Sequence, residues 1–431
     1  MSCWNRRLRR TWVAVATAGL LAVPVSAGAV NAAPDPSVST GTATTGETTA
    51  GDTQFPQLTP EIARKLDDAI RKVLRETRVP GVIVGVWAPG KGEYIRTFGV
   101  SDKATGKPMA TDFNSRIGSE TKTFTVTALL QLVDQHKIAV DDPIAKYIDG
   151  VPNGDKITLR QLAEMRSGLY SYTTDESFAK DLFADPERSF TPQELLAYAW
   201  KRPGVQFQPG ERFDYCNTNL ILLGLVVEKI TGRPLKDVIE QDVLKRAGLK
   251  RTVFPTDAAF PEPHAQGYSN QTETGKVENV TDWNPSWGWA AGAMISNLQD
   301  LRRWAGVLAD GTLLTPATQA QRLKTEPTGI EGAGYGMGIF NVQGWIGHNG
   351  SLPGYQSLTI HLPGPKATLV LLSNTDISYN GFEPSVLFGQ AITKIVSPEH
   401  VFFLPKPVSE PKRSASPPTS PPASPPASPS S

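Results

Sequence analysis

A serine followed three residues later by a lysine occurs at Ser119 and Lys122, at Ser177 and Lys180, and at Ser409 and Lys412. A serine hydroxyl is a weak nucleophile until a base takes its proton. On a helix, residues three apart share one face, about 5–6 Å apart at Cβ, so the lysine can reach the hydroxyl. Burial and the positive end of the helix dipole both disfavour the ammonium, and a neutral amine can accept a proton. The chemistry on offer is acyl transfer through a covalent serine ester. Spacing is common to all three pairs, so context must select. Ser409 lies in a Pro-rich stretch with Pro411 inside the motif. Ser177 lies in the acidic "TTDESFAKDLFADPER", where Lys180 stays charged and solvated. Ser119 follows Gly118 and opens an apolar run. The alternative reading of Ser119 is a helix cap beside an incidental lysine.

Acyl transfer also needs a proton carrier for the leaving group and an edge to hold the substrate. Tyr215 and Asn217, in "PGERFDYCN", precede an apolar helical run. The tyrosine can relay a proton and the asparagine can bind an amide. Tyr268 and Asn270 share the spacing, but in a polar stretch with no such run after them. His348, Asn349 and Gly350 form the one His-x-Gly among five histidines, ahead of a strand-like segment. Backbone there can receive an extended substrate, with the amides of Ser119 and Ser351 as an oxyanion hole. Taken singly, a packed tyrosine and a surface-turn histidine are the plainer alternatives.

Elements to position these residues are legible. Thr59 can cap a helix with Pro60 in its first turn, and Ile62, Leu66, Ile70, Val73 and Leu74 recur at helical spacing. "GVIVGVWAPG" and "EYIRTFGV" read as a hairpin joined by "GKG". Thr121 to His136 reads as a buried helix. The middle is helix-rich, with "TPQELLAYAW" and "TNLILLGLVVEKITG", the latter closed by Gly232. Strand periodicity returns in "YQSLTIHLPG" and "ATLVLLSNT", followed by an amphipathic run from Val386 to Val396. The expectation is a mixed α/β (α+β) fold. One antiparallel sheet draws on both chain ends, flanked by helices, with a mainly helical domain inserted and a cleft at the seam.

Composition bounds the rest. The 431 residues are 39% hydrophobic and 20% charged, with net charge +1. Four positives, Arg6, Arg7, Arg9 and Arg10, precede the apolar run Trp12 to Val25 and the small residues "SAGAVNAA". That is the pattern of a signal peptide over 1–29, and the chain is expected to be secreted; an uncleaved anchor is the alternative. The remainder is nearly neutral, so nothing points to nucleic acid, and no other segment reads as a membrane span. Residues 30–56 read as a flexible linker and 406–431, rich in Pro and Ser, as a disordered tail. A serine hydrolase domain is expected over 57–405. Of two cysteines, Cys3 falls in the leader and Cys216 is alone, which excludes an internal disulfide and a thiolate zinc cluster.

The ordered set Ser-x-x-Lys, Tyr-x-Asn and His-x-Gly resembles the penicillin-recognising serine hydrolases, nearest the class C beta-lactamases and secreted D-alanyl-D-alanine carboxypeptidases. The resemblance runs through "LLQLVDQHKIAVDDPI", "FQPGERFDYCNTNLILLG", "AAGAMISNLQDLRRW", "YGMGI" and "GHNGSLPGY". It implies the beta-lactamase/DD-peptidase-like fold and an acyl-enzyme at Ser119, with Lys122 and Tyr215 sharing the proton transfers. It implies substrate contacts at Asn217, His348, Gly350 and Ser351, an oxyanion hole at Ser119 and Ser351, no metal and no cofactor. The substrate it suggests is a cell-wall peptide, a beta-lactam or an ester. A D-Ala-D-Ala carboxypeptidase-like activity is the leading expectation, a beta-lactamase or esterase the alternative, and a non-catalytic penicillin or peptide receptor a third. Two stretches depart from the pattern. Many relatives carry "LLxHTSG" where this chain has "LAEMRSGL". The secreted carboxypeptidases also carry an arginine, for the substrate carboxylate, shortly before His-x-Gly, whereas residues 331–347 hold no Arg or Lys. Arg116 and Arg166 are the cations that could stand in.

Overall fold

The computed structural model describes residues 55–405. The expected leader at 1–29, nearly all of the linker and the tail at 406–431 lie outside the described residues. Phe55, counted above in the linker, is 3% exposed and packs into the core, so apolar burial starts two residues earlier than the composition suggests.

Helix α1 (Pro60–Thr77) begins where the capping residue predicts. Thr59 Oγ1 accepts from Ile62 N, and Pro60, which has no N–H to lose, takes the first position. Strands β1 (Gly81–Ala88) and β2 (Gly92–Gly99) form the expected hairpin. Helices α2 (Thr121–Asp134) and α3 (Asn217–Thr231) are buried over most of their length, which explains why they read as apolar runs without a polar face. Gly232 ends α3 in the left-handed region at φ 67°. Helix α4 spans Leu298–Asp310. Three short strands follow, β3 (Glu326–Pro327), β4 (Ala333–Tyr335) and β5 (Phe340–Val342). Then come β6 (Trp345–Leu352), β7 (Tyr355–Leu362), β8 (Ala367–Ser373) and helix α5 (Pro384–Val396).

The sheet order is β2-β1-β8-β7-β6-β5-β4-β3, with every neighbouring pair antiparallel. The first hairpin therefore joins the C-terminal strands through β1 and β8, and the sheet is built from both ends, as expected. Strands β1, β7 and β8 are buried at every residue, so helices must cover both faces. Helix α4 packs on β1, β7 and β8, while α5 packs on β7 and β8 and against α1. Edge strand β2 alternates between exposed and buried residues.

The sheet layer is locked to α2, whose first turn carries Lys122. Trp304 of α4 stacks on Phe124 of α2 with centroids 4.1 Å apart, and its Nε1 donates to Thr123 Oγ1 at 2.8 Å. At the start of α4, buried Asp300 Oδ2 accepts from Arg251 N, Thr252 N and Thr252 Oγ1, each at 2.8 Å. Three donors on one buried oxygen make Asp300→Ala costly, because the amides of Arg251 and Thr252 lose their acceptor, while Thr252 Oγ1 keeps Ser296 Oγ. A loss of about 3 kcal/mol in unfolding free energy is expected in urea titrations, with the active site intact in what remains folded.

Candidate active site

The three Ser-x-x-Lys pairs have different fates. Ser409 lies outside the described residues. Ser177 Oγ donates to Asp175 and accepts from Lys201, and its helix is capped by Asp175, so Lys180 is not its partner. Ser119 and Lys122 do meet: Nζ lies 2.9 Å from Oγ. Ser119 does not open the α-helix itself, as expected above, but sits in a 3₁₀ turn, Gly118–Glu120, that leads into α2. Lys122 lies in the first turn of α2, so the pair spans the junction between the 3₁₀ turn and the helix.

Lys122 is fully buried. Its Nζ donates to Ala291 O at 2.7 Å and stands 4.8 Å from the centre of the Tyr215 ring. Desolvation drives its pKa well below the usual lysine range, with no neighbouring carboxylate to hold the proton. In the neutral amine the lone pair faces the Ser119 hydroxyl, which can donate to it. Ala291 is held by the segment 290–294, itself tied to α2: Thr125 Oγ1 donates to Ala290 O and Met294 N to Thr121 Oγ1. The adjacent carboxyl of Glu120 is buried towards Ser357 and Thr359, and burial raises it to about 8. It is therefore mainly the neutral acid at neutral pH.

Tyr215 lies on the approach to α3. Its hydroxyl is buried and faces Ser119 without reaching full hydrogen-bond geometry. Burial raises its pKa, so it remains a phenol that can give a proton. Asn217 opens α3 and its Nδ2 donates to Thr173 Oγ1 at 3.1 Å. The departing stretch "LAEMRSGL" is what fixes this corner. Ser167 Oγ donates to Asn219 Oδ1, Asn219 Nδ2 donates to Leu162 O, and Thr218 Oγ1 donates to Tyr170 O. Of the departing residues, Met165 meets the segment ahead of α3, its carbonyl accepting from Asp214 N at 2.8 Å and its Sδ from Cys216 N at 3.4 Å.

Strand β6 crosses the 3₁₀ turn at close range. A Cβ on Gly118 would lie 2.7 Å from Ser351 N, and one on Gly350 would lie 1.9 Å from Ile117 O. Only glycines permit that approach, which brings the Ser351 amide to the turn carrying Ser119. Two backbone N–H groups in that relation can stabilise an oxyanion.

A cleft of about 930 Å³, counted with its open mouth, runs over these groups. Ser119, Tyr215, Asn217 and Ser351 line it, together with Tyr172, Trp287, Phe340 and Phe382. His348 and Gly350, expected to touch substrate, do not line it; Asn349 and Ser351 do. Side chains alternate along a strand, so 349 and 351 share the face that 348 and 350 turn from. His348 is 2% exposed behind the cleft, its Nε2 3.1 Å from Tyr335 Oη. Burial, then Lys122, lower its pKa to about 3, so it is neutral and serves as packing behind Tyr215.

Neither stand-in arginine faces the cleft. Arg116 is buried over Phe260 with Nη2 donating to Ala258 O and Thr281 O, and Arg166 Nη2 donates to Gly210 O. The charged residue lining the cleft is instead Glu383, just ahead of α5. Sequence reasoning missed Glu383, Asn349 as a wall residue, and the Ala291 carbonyl.

Comparisons with known proteins add the following. The Beta-lactamase family model matches residues 66–383. The D-aminopeptidase of Brucella anthropi is 26% identical over 317 residues, covering 72% of this chain and 59% of that protein. The chain thus spans about three fifths of the length of that curated relative. The solved structure of a D-stereospecific amidohydrolase from a Streptomyces species has TM-score 0.70 at 31% identity, covering 78% of this chain and 98% of the other. The D-amino acid amidase from Ochrobactrum anthropi SV3, complexed with L-phenylalanine, has TM-score 0.65 at 26% identity, covering 77% and 97%.

Proposed function

This chain belongs to the beta-lactamase family and is a serine hydrolase of it; from there we propose that it cleaves amides of D-amino acids through an acyl-enzyme at Ser119. The observation that carries the reading is the buried Ser119–Lys122 pair at the foot of the cleft, with Tyr215 facing the same hydroxyl. Neutral Lys122 takes the Ser119 proton as Oγ attacks the substrate carbonyl. The amides of Ser119 and Ser351 stabilise the oxyanion. Tyr215 gives its proton to the leaving nitrogen and is reprotonated from Lys122, the amine departs, and water later hydrolyses the ester by the reverse relay.

The names of the similar proteins, an aminopeptidase and two amidohydrolases acting on D-residues, support the substrate class. So does the lining of the cleft. A D-Ala-D-Ala carboxypeptidase must hold a terminal carboxylate, and no Lys, Arg or His among the described residues lines this cleft. The leading expectation from sequence is therefore less well supported than the amidase reading. Export is part of the proposal and rests on the basic, apolar and small-residue pattern of 1–29.

The test sets D- and L-phenylalanine p-nitroanilide against an N-acylated peptide ending in D-Ala-D-Ala, with intact-mass spectra to trap the acyl-enzyme. Turnover of the D-anilide in preference to the L-anilide, with no D-alanine released, is expected. Release of D-alanine with both anilides inert would overturn the amidase reading and restore the carboxypeptidase.

A further inference from the structure

Among the described residues the cleft is lined by one acid and no cation. Glu383 lines it and is only partly exposed, with Phe382 before it in the chain and Phe340 across the same wall. One carboxylate oxygen, Oε2, accepts from Asn349 Nδ2 at 2.9 Å, and Asn349 also lines the cleft. Among the described residues no Lys, Arg or His forms an ion pair with Glu383. Tyr215 and Ser119 line the same cleft, so Glu383 shares it with the proposed reacting centre. The other acid that bears on it, Asp376, is occupied by Gly354 N, Ser269 and Gln271.

A carboxylate on a mainly aromatic wall, held by one amide and facing no cation, is costly while it stays unpaired. Burial, with a smaller contribution from Asp376, raises its pKa to about 7 against the help of Asn349. A bound ammonium would reverse that cost. We infer that Glu383 and Asn349 form a subsite for the free amine of the substrate. It selects substrates with an unblocked amine on the acyl side of the scissile bond over those with that amine acylated. The inference deepens the amidase reading above and rests on it for the reaction, though not for binding.

The plainer role for Glu383 is to pin the start of α5 to β6 through Asn349. Glu383→Gln keeps an acceptor for Asn349 and removes the charge, so it separates the two. In the Ser119→Ala background, calorimetric binding of D-phenylalanine amide is expected to weaken at least tenfold on adding Glu383→Gln. Binding of N-acetyl-D-phenylalanine amide should be unchanged. In the enzyme with Ser119 intact, the same change should raise KM for D-phenylalanine p-nitroanilide with little change in kcat. Equal binding of the amine with and without the charge would overturn the subsite. Charge-dependent binding in an enzyme that hydrolyses neither anilide would leave the subsite standing and sink the amidase reading.

Discussion

Ser119→Ala, Lys122→Met and the double variant are each expected to lose on the order of 10⁴–10⁶ in kcat, with the double variant no worse than the more damaging single. The hydroxyl and the amine act as one unit, since Nζ is 2.9 Å from Oγ and both lie at one turn. Removing either leaves only the residual catalysis of the oxyanion site and of substrate binding. Additive losses in single-turnover assays would mean that Lys122 is not the base for Ser119.

The pH dependence follows from burial. Lys122 works as the neutral amine, which desolvation favours at neutral pH. As pH falls through its lowered pKa the amine takes a proton, the base is lost and kcat declines. Lys122→Arg should be as inactive as Lys122→Met, because a guanidinium stays charged. His348 stays neutral down to about 3. His348→Asn should therefore leave the acid limb of the kcat profile in place. A limb that moves with His348 would reassign the base.

Gly350→Ala is the second large effect, through backbone contact rather than chemistry. Its Cβ would lie 1.9 Å from Ile117 O and 2.7 Å from Ser357 Oγ. The backbone oxygen cannot rotate away, so β6 must move off the 3₁₀ turn. Such overpacking costs about 1–3 kcal/mol. The same shift carries the Ser351 amide away from Ser119, and losing one oxyanion donor costs about 10²–10³ in kcat. Activity should fall far more than melting temperature suggests. Gly306→Ala in α4 is the matched control, since a Cβ there meets nothing within 4 Å. It should stabilise by about 0.5–1 kcal/mol and leave kcat alone, because alanine is the better helix residue.

How far the sequence reached depended on the range of the interactions involved. The α1 cap at Thr59, the first hairpin and the Gly232 stop are local choices of backbone angle, and they form where the residues require. The apolar runs of α2, α3, β1, β7 and β8 marked them as buried. Their appearance at both chain ends was enough to imply a shared sheet. The selection of Ser119 over Ser177 and Ser409 was also legible, because a lysine can lose its charge only where the surroundings are apolar.

What the sequence could not carry was which face each residue presents and what approaches it from far along the chain. The His-x-Gly motif was visible, but strand alternation turns His348 inward and leaves Asn349 and Ser351 on the cleft. Arg116 and Arg166 were free to be imagined as carboxylate clamps until distant carbonyls occupied them. Glu383 carries no motif. It acquires its place because α5 starts beside β6, where Asn349 reaches it. Local sequence context determined which of the three serine–lysine pairs is buried and in contact. Only the tertiary packing, by bringing unrelated segments onto one wall, decided that the cleft is lined by an acid, Glu383, beside Asn349.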